Sequence, residues 1–188
     1  MIREYEKLKV DFPEDPQHER YLVMSYLQLA SLLWQLGQQT EANELYRKAA
    51  DVDAADPGLN NNLAWFLAAN PEPRLRDAAR AVRLAQKAAD VQSQSPDYKN
   101  TLGVAHYRNG NYRAAITELE SAVNLRWGGN TVDWLFLAMA HWRLGDRDKA
   151  RTWFDRAVKW MDKYNPPDDE LRRFRTEAEA LLAEANKS

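Results

Sequence analysis

Apolar and small residues recur along this chain in paired segments, each with helical spacing. Gly37 is followed by Ala42, Tyr46 and Ala49, at five, nine and twelve residues. Gly110 is followed at the same offsets by Ala115, Leu119 and Ala122, and Gly145 by Ala150, Phe154 and Ala157. Upstream of each glycine stands an apolar–small pair: Leu29-Ala30, Leu102-Gly103 and Leu137-Ala138. A further unit carries Leu63-Ala64, then a longer turn, AANPEPRLRD, and regains phase at Ala81, Ala85 and Ala88. Unit starts fall at Val23, Pro57, Pro96 and Thr131, in steps of 34, 39 and 35 residues.

Within each unit the apolar residues of the first half, at places 4, 7, 8 and 11, share one helical face, and those at 20, 24 and 27 share another. The pattern predicts two antiparallel helices per unit. The glycine sits where the turn between them needs a left-handed or sterically free residue. Neither helix buries its face alone, so neighbouring units must stack. The prolines, at 13, 16, 57, 71, 73, 96, 166 and 167, punctuate helices rather than interrupt them. No sustained two-residue alternation marks a strand.

These positions resemble the tetratricopeptide repeat, whose pattern the last unit fills with Trp134, Leu137, Ala138, His141, Ala150, Phe154 and Ala157. Departures are Asn60 and Lys99 at place 4, and histidine twice at place 11. The resemblance implies an all-α fold, a right-handed α-solenoid of helix-turn-helix repeats with a C-terminal capping helix. Residues 1–15 read as the second helix of a preceding partial repeat, with Ile2, Tyr5 and Leu8 on its apolar face, cut from a longer protein. Repeats then span 16–56 (with an extended first helix to Leu36), 57–95 (with the long turn), 96–130 and 131–164. Residues 165–188 form the cap and tail: Asp168, Asp169 and Glu170 suit a helix N-terminus, and Leu171, Phe174, Ala178, Leu181 and Leu182 its apolar stripe. The segments NNLAWFLAANPEPRLRDAARAV and LAMAHWRLGDRDKARTWFDRAVKWMDK are similar to repeat arrays attached to bacterial serine/threonine protein kinases. The kinase's own motifs are absent from this sequence. The resemblance implies a bacterial, cytoplasmic scaffold.

Composition narrows the function. The 188 residues are 45% hydrophobic and 29% charged with net charge −2, which offers no basic field for nucleic acid. Cysteine is absent, which excludes disulfides and thiolate chemistry. No apolar run approaches the roughly 20 residues of a membrane span, and the opening residues lack a signal peptide's apolar core. His106 and His141 occupy one repeat place in neighbouring units, about 10 Å apart, too far to share a metal. Asp51, Asp53 and Asp56 lack a calcium loop's glutamate, since Asn62 stands in its place. RWGGN reads as an inter-repeat turn, and Arg74, Arg76, Arg80 and Arg83 as a cluster on the second helix of their unit. No acid–base or nucleophile constellation is present. The reading is a non-enzyme without cofactor or metal.

In the repeat family, places 2, 5, 9 and 12 of the first helices face an inner groove. Here the resemblance puts Leu27, Ser31, Trp34, Asn61, Trp65, Asn100, Tyr107, Leu135, Met139 and Trp142 on that wall, with Asn62 and Arg108 beside them. Large apolar groups left wet each forgo about 1.5–3 kcal/mol of burial, so such a wall calls for a guest. The asparagines suit a peptide backbone and the aromatics its side chains. The family's grip on a terminal carboxylate is matched only at Asn62, with Asp97 and Thr101 where cations belong. The expected partner is a protein segment with apolar or aromatic side chains, neither nucleic acid nor membrane. The alternative is self-association through the N-terminal half-repeat, or a spacer in a larger signalling protein.

Overall fold

In the computed structural model the described residues are 16–51, 56–164, 166 and 168–183, and every regular element among them is helical. The half-repeat expected over 1–15, with Ile2, Tyr5 and Leu8, lies outside the described residues. The chain divides into two compact units, residues 1–63 and 64–188.

In the first unit, α1 (Pro16–Gln35) runs close to the length its pattern predicts and pairs with α2 (Gln39–Asp51). Val23, Tyr26 and Ala30 are buried, as are Ala42, Tyr46 and Ala49, so both predicted faces are dry. Leu29, read as a core residue, is instead exposed; with Tyr21 and Leu32 it forms a stripe on one side of α1, which the exposed Leu36 continues just past the helix end. Gly37 turns the chain at φ +77°, open to glycine at no steric cost. The Asp56 carboxylate accepts from the backbone N–H groups of Gly58 and Leu59 and so starts α3 (Pro57–Ala69). This aspartate, weighed as part of a calcium loop, is a helix cap. The division between the units falls inside α3.

The second unit begins with the long turn. Asn70 Oδ1 accepts from Glu72 N, Arg76 Nε donates to Asn70 O at 2.7 Å, and Asp77 N donates to Leu67 O. A 3-10 turn fills Pro73–Leu75, and Asp77 caps α4 (Ala78–Val91). Arg74 and Arg76 therefore lie in the turn, not on the helix; only Arg80 and Arg83 of the expected cluster are helical. The two prolines and the side-chain bonds of Asn70 and Glu72 take this stretch out of the helix.

Four further helices alternate: α5 (Pro96–Arg108), α6 (Tyr112–Leu125), α7 (Thr131–Arg143) and α8 (Arg147–Tyr164). Successive members of these four pack on one another, and α5 also meets α7. The small residues explain the closeness. A Cβ placed on Gly103 would stand 2.6 Å from Leu119 Cγ, so α5 and α6 approach to glycine distance. Asn130 and Asp133 form a reciprocal capping box that starts α7. Finally α9 (Asp169–Ala183) opens on Asp168, which accepts from Glu170 N and Leu171 N. It packs on α7, the first helix of the last pair.

Candidate peptide-binding face

The residues assigned to the inner wall separate sharply in the structure. In the first unit Leu27 and Asn61 are half-buried and Asn62 is exposed; the side chains of Ser31 and Trp34 lie outside the described residues. In the second unit, Leu135 and Met139 are fully buried, and Asn100, Tyr107 and Trp142 nearly so. Trp65 and Arg108 are half-buried. The open wall expected at Asn100, Tyr107, Leu135, Met139 and Trp142 is therefore covered. The cover is specific. Phe174 of α9 is fully buried and meets Phe136 edge-on, with centroids 5.0 Å apart. Phe174 also meets Trp65 edge-on at 6.1 Å, and Phe136 in turn meets Tyr107 edge-on. Asn100 is diverted from any peptide: its amide donates to the buried Asp133 carboxylate at 2.6 Å. Trp142 lies under the Arg147 guanidinium, 3.6 Å from the ring centroid.

The polar half of the contact is an ion pair. Arg108, at the end of α5, takes both oxygens of Glu177 of α9, one of them at 2.7 Å. Its Nε donates to Ala68 O, so the fork is aimed by the C-terminus of α3. Arg173 lies over the Phe174 ring. Burial, with Arg108 beside it, holds the Arg76 guanidinium below its ordinary pKa, and burial does the same at Arg173, against the pull of Glu170. Glu170 is pushed up by burial, against the pull of Arg173. The α9 helix thus presents an aromatic plug, then an acid three residues on, to a receptor of Trp65, Phe136 and Arg108.

Phe136 and Glu177 were not among the residues expected at the site. The signal for Phe136 was available: WLFLAMA over 134–140 is apolar on every side, and such a helix is buried all round. Nothing in the spacing pointed to the Arg108–Glu177 pair, 69 positions apart. Elsewhere, His106 and His141 are held below 6.5 chiefly by burial, and among the described residues no group of His, Asp and Glu is arranged to hold a metal ion. Among the described residues no helix is long and apolar enough to cross a membrane.

Antiparallel helix pairs, closed by left-handed glycines and stacked pair on pair, define a helix-turn-helix repeat protein. Sequence models described as tetratricopeptide repeat match residues 74–130, and also 25–56 and 134–162, together more than half of the chain. The chain belongs to the tetratricopeptide repeat family. A tetratricopeptide repeat protein from Parabacteroides merdae ATCC 43184 superposes with a TM-score of 0.61, covering 99% of this chain and 67% of that one at 14% identity. A crystal structure of MamA gives 0.57 over 86% of this chain and 87% of that chain at 20% identity. Another, titled MamA MSR-1, gives 0.55 over 88% and 94% at 17% identity. At such identities the likeness is one of fold. No curated protein sequence matches the chain.

Proposed function

We propose that this protein is a non-catalytic interaction module that binds an amphipathic helix of a protein partner along the first-helix face of its repeats. The supporting observation is the seat of α9, where Phe174 lies against Trp65 and Phe136 while Glu177 engages Arg108. A face that takes one such helix from its own chain has the chemistry to take another: an aromatic anchor, small or apolar residues at helical spacing, and an acid opposite Arg108. Taken by itself, the first unit offers Leu27, Asn61 and Asn62 on its own helices, with the asparagine amides suited to a partner's polar groups. Serving as a signalling scaffold in the bacterial cytoplasm, as part of a larger protein such as a kinase, is the setting that fits this role.

The test is titration of a labelled synthetic peptide of residues 168–183 into the full chain and into its Glu177→Lys variant. The substitution loosens the resident helix by turning its acid against Arg108. The peptide is expected to bind the variant at least tenfold more tightly than the native chain. Adding Arg108→Ala to Glu177→Lys should abolish the gain. Equal, undetectable binding by folded native and variant chains would discard this reading.

A further inference from the structure

Three guanidiniums gather where the long turn, α5 and α9 meet in the second unit. Arg108 Nε donates to Ala68 O at 3.1 Å and Arg76 Nε to Asn70 O at 2.7 Å, so carbonyls only two residues apart set these side chains next to each other. Arg173 joins them from α9, one helical turn before Glu177, the acid that Arg108 grips. The three cations feel one another: Arg108 and Arg173 both disfavour the charge on Arg76, and Arg108 disfavours that on Arg173. The acids nearby are already engaged or distant. Glu177 is taken by both arms of Arg108, Glu72 accepts from the backbone N–H of Arg74, and Glu170 reaches Arg173 Nη2 only at 3.4 Å. Arg76 bonds to Asn70 O through Nε and makes no ion pair among the described residues. Arg173 Nη1 is buried and has no hydrogen-bond partner among them. Buried donors are nearly always satisfied, and a guanidinium does not shed its proton to escape the need.

We infer that Arg76 and Arg173, backed by Arg108, form a binding site for a phosphate group. The donors left over are the terminal nitrogens of Arg76 and Nη1 of Arg173. A carboxylate's two coplanar oxygens match one fork, as those of Glu177 match Arg108. Donors from two further side chains call instead for an anion with three acceptor oxygens, which phosphate supplies whether free or esterified on a protein. Arg76 is half-buried and Glu177 a third exposed at its side chain, so the place opens to solvent beside the turn. The site uses nitrogens that the docking of α9 leaves free and keeps the Arg108–Glu177 pair intact. It therefore stands or falls separately from the helix-binding face proposed above.

Phosphorus NMR titration of inorganic phosphate with the full chain tests this, at about pH 7.5, where the dianion prevails, and at constant ionic strength set with chloride. The native chain should bind saturably, with a Kd of about 5 mM or tighter. Arg76→Gln should weaken binding about tenfold or more. Arg173→Gln, which leaves the turn untouched, should do the same and keeps the test open if the chain fails to fold without Arg76. Arg74→Gln, at an exposed place in the same turn, removes equal charge and should change the affinity less than about twofold. A short synthetic peptide with phosphoserine between alanines separates the two sources. Tighter binding than inorganic phosphate assigns the site to a modified protein partner, and binding no tighter assigns it to free phosphate. Lack of saturable binding by the folded native chain overturns the inference, as does an equal loss in Arg74→Gln and Arg76→Gln.

Discussion

Asn100 donates a hydrogen bond to Asp133 at 2.6 Å, joining the first helices of two successive repeats inside the core. Asp133 is fully buried and also accepts from Asn130 N and from Arg126, which in turn pairs with Asp97. Burial still wins, and the carboxyl is held above its ordinary pKa. Asn100→Ala should leave that oxygen short of a donor and cost about 1–3 kcal/mol in chemical denaturation. Loss of less than about 0.5 kcal/mol would show that Arg126 alone satisfies the site.

Phe174 is the keystone of α9. Phe174→Ala removes a fully buried ring that touches Trp65 and Phe136, and should destabilise the second unit by about 3–5 kcal/mol. Phe174→Leu, which keeps much of the volume, should cost about 1.5 kcal/mol or less. Hydrogen exchange would localise the loss: amides of α9 and α7 should lose protection ahead of those in α1 and α2.

Glu177 has company that makes its loss asymmetric. Its partner Arg108 is only 9% exposed at the side chain, and Arg76 and Arg173 crowd the same place. Glu177→Gln should cost about 1–2 kcal/mol, between the worth of an exposed pair and a buried one, since Glu177 itself is a third exposed. Restoring part of that loss with added salt would confirm that the penalty is repulsion among the arginines.

His141 supplies a pH dependence of known sign. Its ring is buried, with Nε2 unpartnered among the described residues, and burial holds its pKa below 6.5 although Asp146 pulls the other way. The unfolded chain therefore takes up the proton first as pH falls. The stability that neutral His141 contributes is complete above 6.5 and is lost as pH drops from there towards the lower folded value. His141→Phe, which keeps an aromatic ring at the repeat place, should flatten the fall in melting temperature between about pH 7.5 and 5.5. A residual slope is expected from His106, which is displaced in the same direction. An unaltered slope would mean that protonated His141 finds an acceptor.

The repeats were legible because their causes are local. Glycine at 37, 110 and 145 meets a backbone need that spacing reveals, and Ala42, Ala115 and Ala150 mark the close approaches. Assigning Leu135 and Met139 to an open wall failed for a non-local reason: both are buried, and the helix that packs on theirs, α9, lies some 40 positions on. The capping role read from Asp168 and the apolar stripe placed α9 as a helix, yet a stripe does not say which wall it meets. Arg74 and Arg76 were put on a helix because the long turn broke the 34-residue phase, and Asn70 and Glu72 bind the backbone there instead.

The connection to α9 spans only residues 165–168. A resident ligand on so short a tether sees its receptor at an effective concentration in the millimolar range. A free competitor at micromolar levels therefore starts about a thousandfold behind, and prevails only by adding contacts that α9 does not make. On the proposed function, a partner of this face should accordingly be bivalent or delivered already bound nearby, and the short leash would set a threshold against casual binders.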